Sequence, residues 1–164
     1  MPIPCHCSAE ALVDLLQLEP HPEGGWFREV HRSPIGVRRA DGSKRSGMTV
    51  IWFLLPGKAI SRWHRVVGAD ETWHHAQGDP LELWILPPEG GEAERRVLGP
   101  LELPSPGAQP VQVVPSAWWQ AARSLGEWSL VTCCVGPGFS FEDFQLLHQR
   151  PPQEHPPGVL PELL

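Results

Sequence analysis

Turn-forming residues cut this chain at short intervals: 16 glycines and 20 prolines fall within 164 residues. Proline lacks the N–H that a helix interior or a central strand needs, and glycine supplies backbone angles that other residues avoid. Long helices are disfavoured, and many short strands closed by tight loops are what such punctuation permits. Eight tryptophans, with no tyrosine, add bulk to the segments between the breaks. A single domain of this length buries enough surface to stand without disulfides.

Ser8 is placed to cap a short helix over residues 9–18, with Leu12, Leu15 and Leu16 at one-face spacing. The run Pro20-His21-Pro22-Glu23-Gly24-Gly25 breaks it. Ten strands are predicted beyond that point, over 26–31, 48–55, 59–67, 71–76, 81–86, 94–98, 111–114, 118–123, 128–135 and 141–147. Residues 48–55 are almost continuously apolar, as in a strand buried on both faces. Ile60, Arg62, His64 and Val66 are expected on one face of their strand. A polar loop spans 33–46, and its cluster Arg38, Arg39, Lys44 and Arg45 reads as a solvated hairpin tip. The predicted fold is all-β, a sandwich or barrel with closed edges. One domain covers 8–147, with a flexible N-terminus (1–7) and a proline-rich tail (148–164) that is either mobile or laid extended on a partner subunit.

Several function classes are disfavoured. A net charge of −6 and a pI near 5.7 argue against nucleic acid as a partner. The longest apolar run is far short of the ~20 residues a membrane helix requires. Cys5 and Cys7 flank a histidine but lack a matching second half for a metal site, and Cys133 and Cys134 are expected on opposite faces of one strand. No basic stretch leads into an apolar segment at the start, nothing implies an oxidising compartment, and a cytoplasmic setting is expected.

Chemistry concentrates in residues 61–83. His64 and Glu71 lie seven apart with a glycine turn between them, so a hairpin can bring both inside. Trp73 and His75 share the face of Glu71 in a regular strand, and His74 takes the other. An imidazole and a carboxylate facing one cavity suit a metal site, proton transfer, or simply a hydrogen-bonded core pair.

The spacing from His64 through Val66 and Glu71 to Gly78 resembles the first motif of the cupin superfamily, and Pro115-Ser116-Ala117-Trp118-Trp119-Gln120 resembles its second. The segments PHPEGGWFREVHRS, HRVVGADETWHHAQGDPLEL and CCVGPGFSFEDFQLL are similar, more specifically, to a poorly characterised family of small single-domain cupins, over about residues 12–147. The resemblance implies a jelly-roll β-barrel with a short N-terminal helix, pairing as a homodimer through a sheet edge. It also implies that residues 22–25 line the barrel mouth and that Trp26 and Arg28 project inward.

The family's four metal-ligand places fall here on His64, Val66, Glu71 and Gln120. Valine cannot ligate and glutamine is a poor ligand, so no cofactor is expected; a divalent metal, if one binds, would sit on His64, Glu71 and Gln120. By analogy with the metal-free sugar-nucleotide epimerases of the superfamily, His64 is the expected base and Glu71 the group that orients it. Arg28 and Arg62 are the expected anion binders, and Trp26, Trp73, His75, Trp119 and Gln120 complete the expected ligand-binding set. Two further readings stay open: a non-catalytic ligand-binding or sensing module, and a metal-dependent enzyme.

Overall fold

The computed structural model describes residues 7–101 and 107–164; the expectation for the first six residues, Cys5 included, lies outside them. Ser8 caps α1 (Ala9–Leu16), its Oγ accepting from the Ala11 N–H at 3.2 Å. The helix stops two residues earlier than predicted, where Gln17 turns left-handed at φ 54° and donates its N–H to the Asp14 carbonyl. Leu12 is buried, but Leu15 is 73% exposed, so the buried stripe follows Leu12 and Leu16 rather than all three leucines.

The strands in chain order are β1 (Glu19–Pro20), β2 (Trp26–Arg32), β3 (Gly36–Arg38), β4 (Lys44–Ser46), β5 (Thr49–Pro56), β6 (Ile60–Val66), β7 (Asp70–Gly78), β8 (Leu81–Leu86), β9 (Glu94–Leu98), β10 (Val111–Val114), β11 (Trp119–Ser124), β12 (Trp128–Gly136) and β13 (Phe144–Leu146). The strand predicted over 141–147 is instead a 3₁₀ turn, Phe141–Asp143, followed by the shorter β13. Strands join in two antiparallel sheets ordered β1-β2-β5-β12-β7-β10 and β13-β6-β11-β8-β9. Because most neighbours in a sheet are not neighbours in sequence, the chain crosses repeatedly between layers, and the expected barrel takes the form of a jelly-roll sandwich.

Strand alternation places Phe53, Leu55, Trp73 and Val131 of the first sheet against Leu83, Ile85 and Ala122 of the second, all nearly inaccessible. Each large side chain buried this way stabilises the fold by about 1.5–3 kcal/mol. α1 covers the outside of the six-stranded sheet over Leu54, Leu130, Trp26 and Trp52. The outside of the five-stranded sheet is covered by the tail. Leu163 is fully buried with Trp63, Trp119 and Leu147, and the Trp63 indole donates to the Leu160 carbonyl at 3.1 Å. The tail expected to be mobile or to lie on a partner thus has a place on its own chain, because its few apolar residues match the tryptophans of β6 and β11.

β3 and β4 form a separate two-stranded hairpin, as the sequence suggests, but its arginines are not all solvated. Arg39 and Arg45 both bind the buried Asp143 carboxylate, Arg39 at 3.0 and 3.1 Å and Arg45 at 2.8 Å to each oxygen. That shared carboxylate staples the hairpin across the 3₁₀ turn. Among the described residues no helix is long and apolar enough to cross a membrane.

Candidate functional site

At one end the two sheets part around a cavity of about 660 Å³. Glu71 and Cys133 reach it from the six-stranded sheet, His64 and Val66 from the five-stranded one, and Lys44 and Ser46 from the hairpin at its mouth. His21 and Glu23 enter from the loop between β1 and β2. That loop is fixed by Gly24, at φ 106°, where a Cβ would run into the Ile60 carbonyl. The Glu23 carbonyl accepts the Arg62 N–H at 2.7 Å, which ties the loop to β6.

His64 owes its position to a bulge. Against β11, Gln120 faces His64 and Ala122 faces Ser61, so β6 spends one more residue than its partner. Ser61 and His64 both turn inward as a result. His64 Nδ1 lies 2.7 Å from the Arg62 carbonyl, which can only accept, so Nδ1 carries the proton and Nε2 presents a lone pair. Nε2 lies 3.1 Å from Glu23 Oε2, while Ser61 Oγ donates to Glu23 Oε1 at 2.8 Å. Burial holds the imidazole down at about 4, partly opposed by the Arg62 carbonyl. Burial, reinforced by the neighbouring Glu71 charge, pushes the Glu23 carboxyl well above its ordinary range. The pair therefore keeps one proton on Glu23, donated toward His64.

Glu71 sits apart from that pair in hydrogen bonding. Its Oε2 accepts from Gln120 Nε2 at 2.7 Å, and Gln120 Oε1 accepts the Trp73 indole at 2.8 Å. Burial raises the Glu71 carboxyl to about 7, against the hydrogen bonds from Gln120 and Cys133 that favour its charged form. The contact with His64 expected of Glu71 is made instead by Glu23.

A metal does not fit this donor set. Val66 has no donor atom, and both ends of the Gln120 amide are committed, to Trp73 and to Glu71. Among the described residues no three His, Cys, Asp or Glu side chains gather as a metal site would require.

Of the residues expected around the ligand, His64 and Glu71 line the cavity, with Gln120 and Trp73 directly behind Glu71. Trp26 and Arg28 point the other way: Trp26 packs under α1 and Arg28 donates to the Leu16 carbonyl at 3.2 Å. The alternate set of β2, Phe27 and Glu29, faces the cavity instead. Arg62 falls at the β6 bulge, outside the lining. His75 lies at a second bulge, where β12 pairs with His75 and then Gln77, and its Nε2 contacts the Gly78 carbonyl; His74 bonds Thr72. Trp119 lies on the outer face beneath the Arg65 guanidinium, 4.4 Å from its ring centre. Glu23 lies at the cavity, as the resemblance implied for residues 22–25, whereas His21 was expected only as part of a chain break. Two titratable side chains between prolines and glycines were the signal that a fixed loop presents them.

The chain matches the family model described as Cupin superfamily (DUF985) over residues 10–147. It is similar to a solved protein from Shewanella oneidensis (35% identity, TM-score 0.76, 85% of this chain and 84% of that one). It is also similar to a hypothetical protein from Leishmania major (32% identity, TM-score 0.75, 84% and 86%). KdgF from a Halomonas species shares the fold at 16% identity, with a TM-score of 0.51 over 73% of this chain and 86% of that one. Among curated proteins none matches.

Proposed function

The chain belongs to the DUF985 family of the cupin superfamily, and on that premise we propose that it binds a small polar, carbonyl-bearing metabolite between its sheets and moves a proton on it without a metal, as an isomerase or epimerase does. The observation that carries this reading is a cavity lined by buried Glu23, His64 and Glu71, in which Glu23 lies 3.1 Å from the His64 ring while Glu71 is held separately by Gln120. A group that titrates near 7 is divided between acid and base at neutral pH, which suits general acid–base catalysis.

The base expected at His64 moves to Glu71. His64 Nε2 is engaged by the Glu23 proton, and an imidazole held at about 4 is a weak base at neutral pH. Ionised Glu71 takes the proton α to the carbonyl, and the Glu23–His64 pair is the second station from which a proton returns. A cytoplasmic setting and a homodimer go with the proposal as expected from the sequence.

The experiment is deuterium exchange in D₂O, followed by proton NMR, on small 2-hydroxy aldehydes, 2-keto acids and aldoses after exhaustive chelation. The expected result is exchange at one α-carbon by the wild-type chain, reduced by roughly 10²–10⁴-fold in Glu71→Gln with binding retained. Binding without exchange in any compound would favour the ligand-binding module; exchange restored only by added metal would overturn the metal-free step.

A further inference from the structure

The acid–base account makes no use of His21, whose side chain is only 6% exposed where it lines the cavity. His21 is held in a neutral ring of defined tautomer: the Glu23 backbone N–H donates to its Nδ1 at 3.2 Å, so Nδ1 is the acceptor and the proton belongs on Nε2. Glu23 Oε2 lies 3.5 Å from the same Nδ1, a longer contact than that of the backbone N–H, and its own proton is directed at His64. Among the described residues Nε2 has no hydrogen-bond partner, and it is not sealed off as the unpartnered indole nitrogens of Trp84 and Trp119 are. His21 lines the cavity, so its Nε2–H opens onto it.

The ring is held by aromatic edges. Phe27 packs at 4.5 Å between centroids and 76°, Phe144 at 5.8 Å and 74°, and Phe53 at 5.9 Å and 89°. Those neighbours fix the ring plane, and the imidazole is kept uncharged, its pKa lowered to about 3 chiefly by burial. A satisfied core histidine would have both nitrogens engaged; here one is engaged and the other is a directed donor in an aromatic wall.

The geometry points to His21 Nε2–H as the donor that binds the ligand's carbonyl oxygen and stabilises the negative charge developing there. This rests on the proton-transfer reading above and names the oxygen-recognising part of the same site. In the step, the C–H electron pair becomes the new C=C bond as Glu71 takes the proton. The carbonyl π pair moves onto oxygen, and the His21 proton stays on nitrogen and is shared with that oxygen. A neutral imidazole serves here because its proton affinity lies near that of an enolate oxygen, and it costs no charge burial in the free protein. The ligand class that follows is a planar oxyanion-forming carbonyl compound with its oxygen against the phenylalanine wall.

The test uses the full chain labelled with ¹⁵N-histidine and glycolohydroxamate, a planar enediolate mimic, as probe. The expected result is His21 as the Nε2–H tautomer, uncharged between pH 5 and 8, while His64 is the Nδ1–H tautomer. Saturating glycolohydroxamate should move the His21 Nε2–H proton downfield, and His21→Phe, which keeps the aromatic packing, should bind the probe about tenfold more weakly. A His21 proton on Nδ1, a charged ring at neutral pH, or a probe that leaves the His21 Nε2 signal unmoved would overturn the assignment; the tautomer measurement needs no variant to fold. A wild-type chain that shows the His21 shift but exchanges no α-proton would contradict the proton-transfer reading and leave His21 as the oxygen donor of a binding protein.

Discussion

Burial holds the Glu71 carboxyl at about 7 against an ordinary 4.5, so the folded chain keeps a proton there that the unfolded chain releases earlier. Below the unfolded value both states are protonated and the group makes no difference. As pH rises through the interval from 4.5 to about 7 the unfolded state is increasingly favoured, and above it the cost is constant at about 3 kcal/mol. Glu71→Gln should therefore be more stable than wild type at pH 8 by that order, and the gap should close toward pH 4.5; urea unfolding of both proteins across that range measures it. A constant gap would mean that Glu71 titrates normally. At this scale the sequence disclosed His64 and Glu71 through their spacing, and Gln120 with them. The resemblance placed residues 22–25 at the mouth, but nothing in the sequence disclosed that Glu23 reaches His64 or that His21 joins it, because a turn obeys no period and their approach depends on how closely Gly24 packs against Ile60.

The elements carry their own lesson, which is the effect of single-residue slips. Trp26 and Arg28 were expected inward and lie outward, because alternation alone does not say which face of β2 the helix covers. Bulges removed Arg62 and His75 from the rows assigned to them and gave His64 its inward turn. The β3–β4 hairpin offers a prediction of its own. Asp143 is its anchor, and the side chains of Arg39 and Arg45 that bind it are only 12% and 11% exposed. Asp143→Asn leaves two guanidinium groups without their carboxylate and should loosen the hairpin. Limited trypsin digestion reads the same event: the variant should be cut within the hairpin, at Arg39 or Arg45, well before wild type. Equal cutting rates would show that the hairpin stays closed without its staple.

For the whole molecule, the turn-rich sequence and the ordered motifs sufficed for the two-layer all-β fold and its short helix. They did not locate the tail, whose burial depends on an outer face built from residues far apart in sequence, Trp63 and Trp119 among them. The apolar run of 48–55, expected to be buried on both faces, is β5, which lies inside its sheet between β2 and β12 and is covered on both faces. The free edge of the six-stranded sheet beyond β7 is β10, with Val111 and Val113 nearly half exposed. The jelly roll brings three distant segments, the loop carrying Glu23, the strand carrying His64 and the strand carrying Glu71, to one cavity, and the proposed chemistry depends on that convergence. Carbon-13 NMR of every glutamate carboxyl in the intact chain, followed from pH 4 to 9, tests it most directly. The account predicts one carboxyl titrating near 7, absent in Glu71→Gln, and a second, belonging to Glu23, still protonated well above the usual range. A spectrum in which all glutamates titrate between 4 and 5 would contradict it.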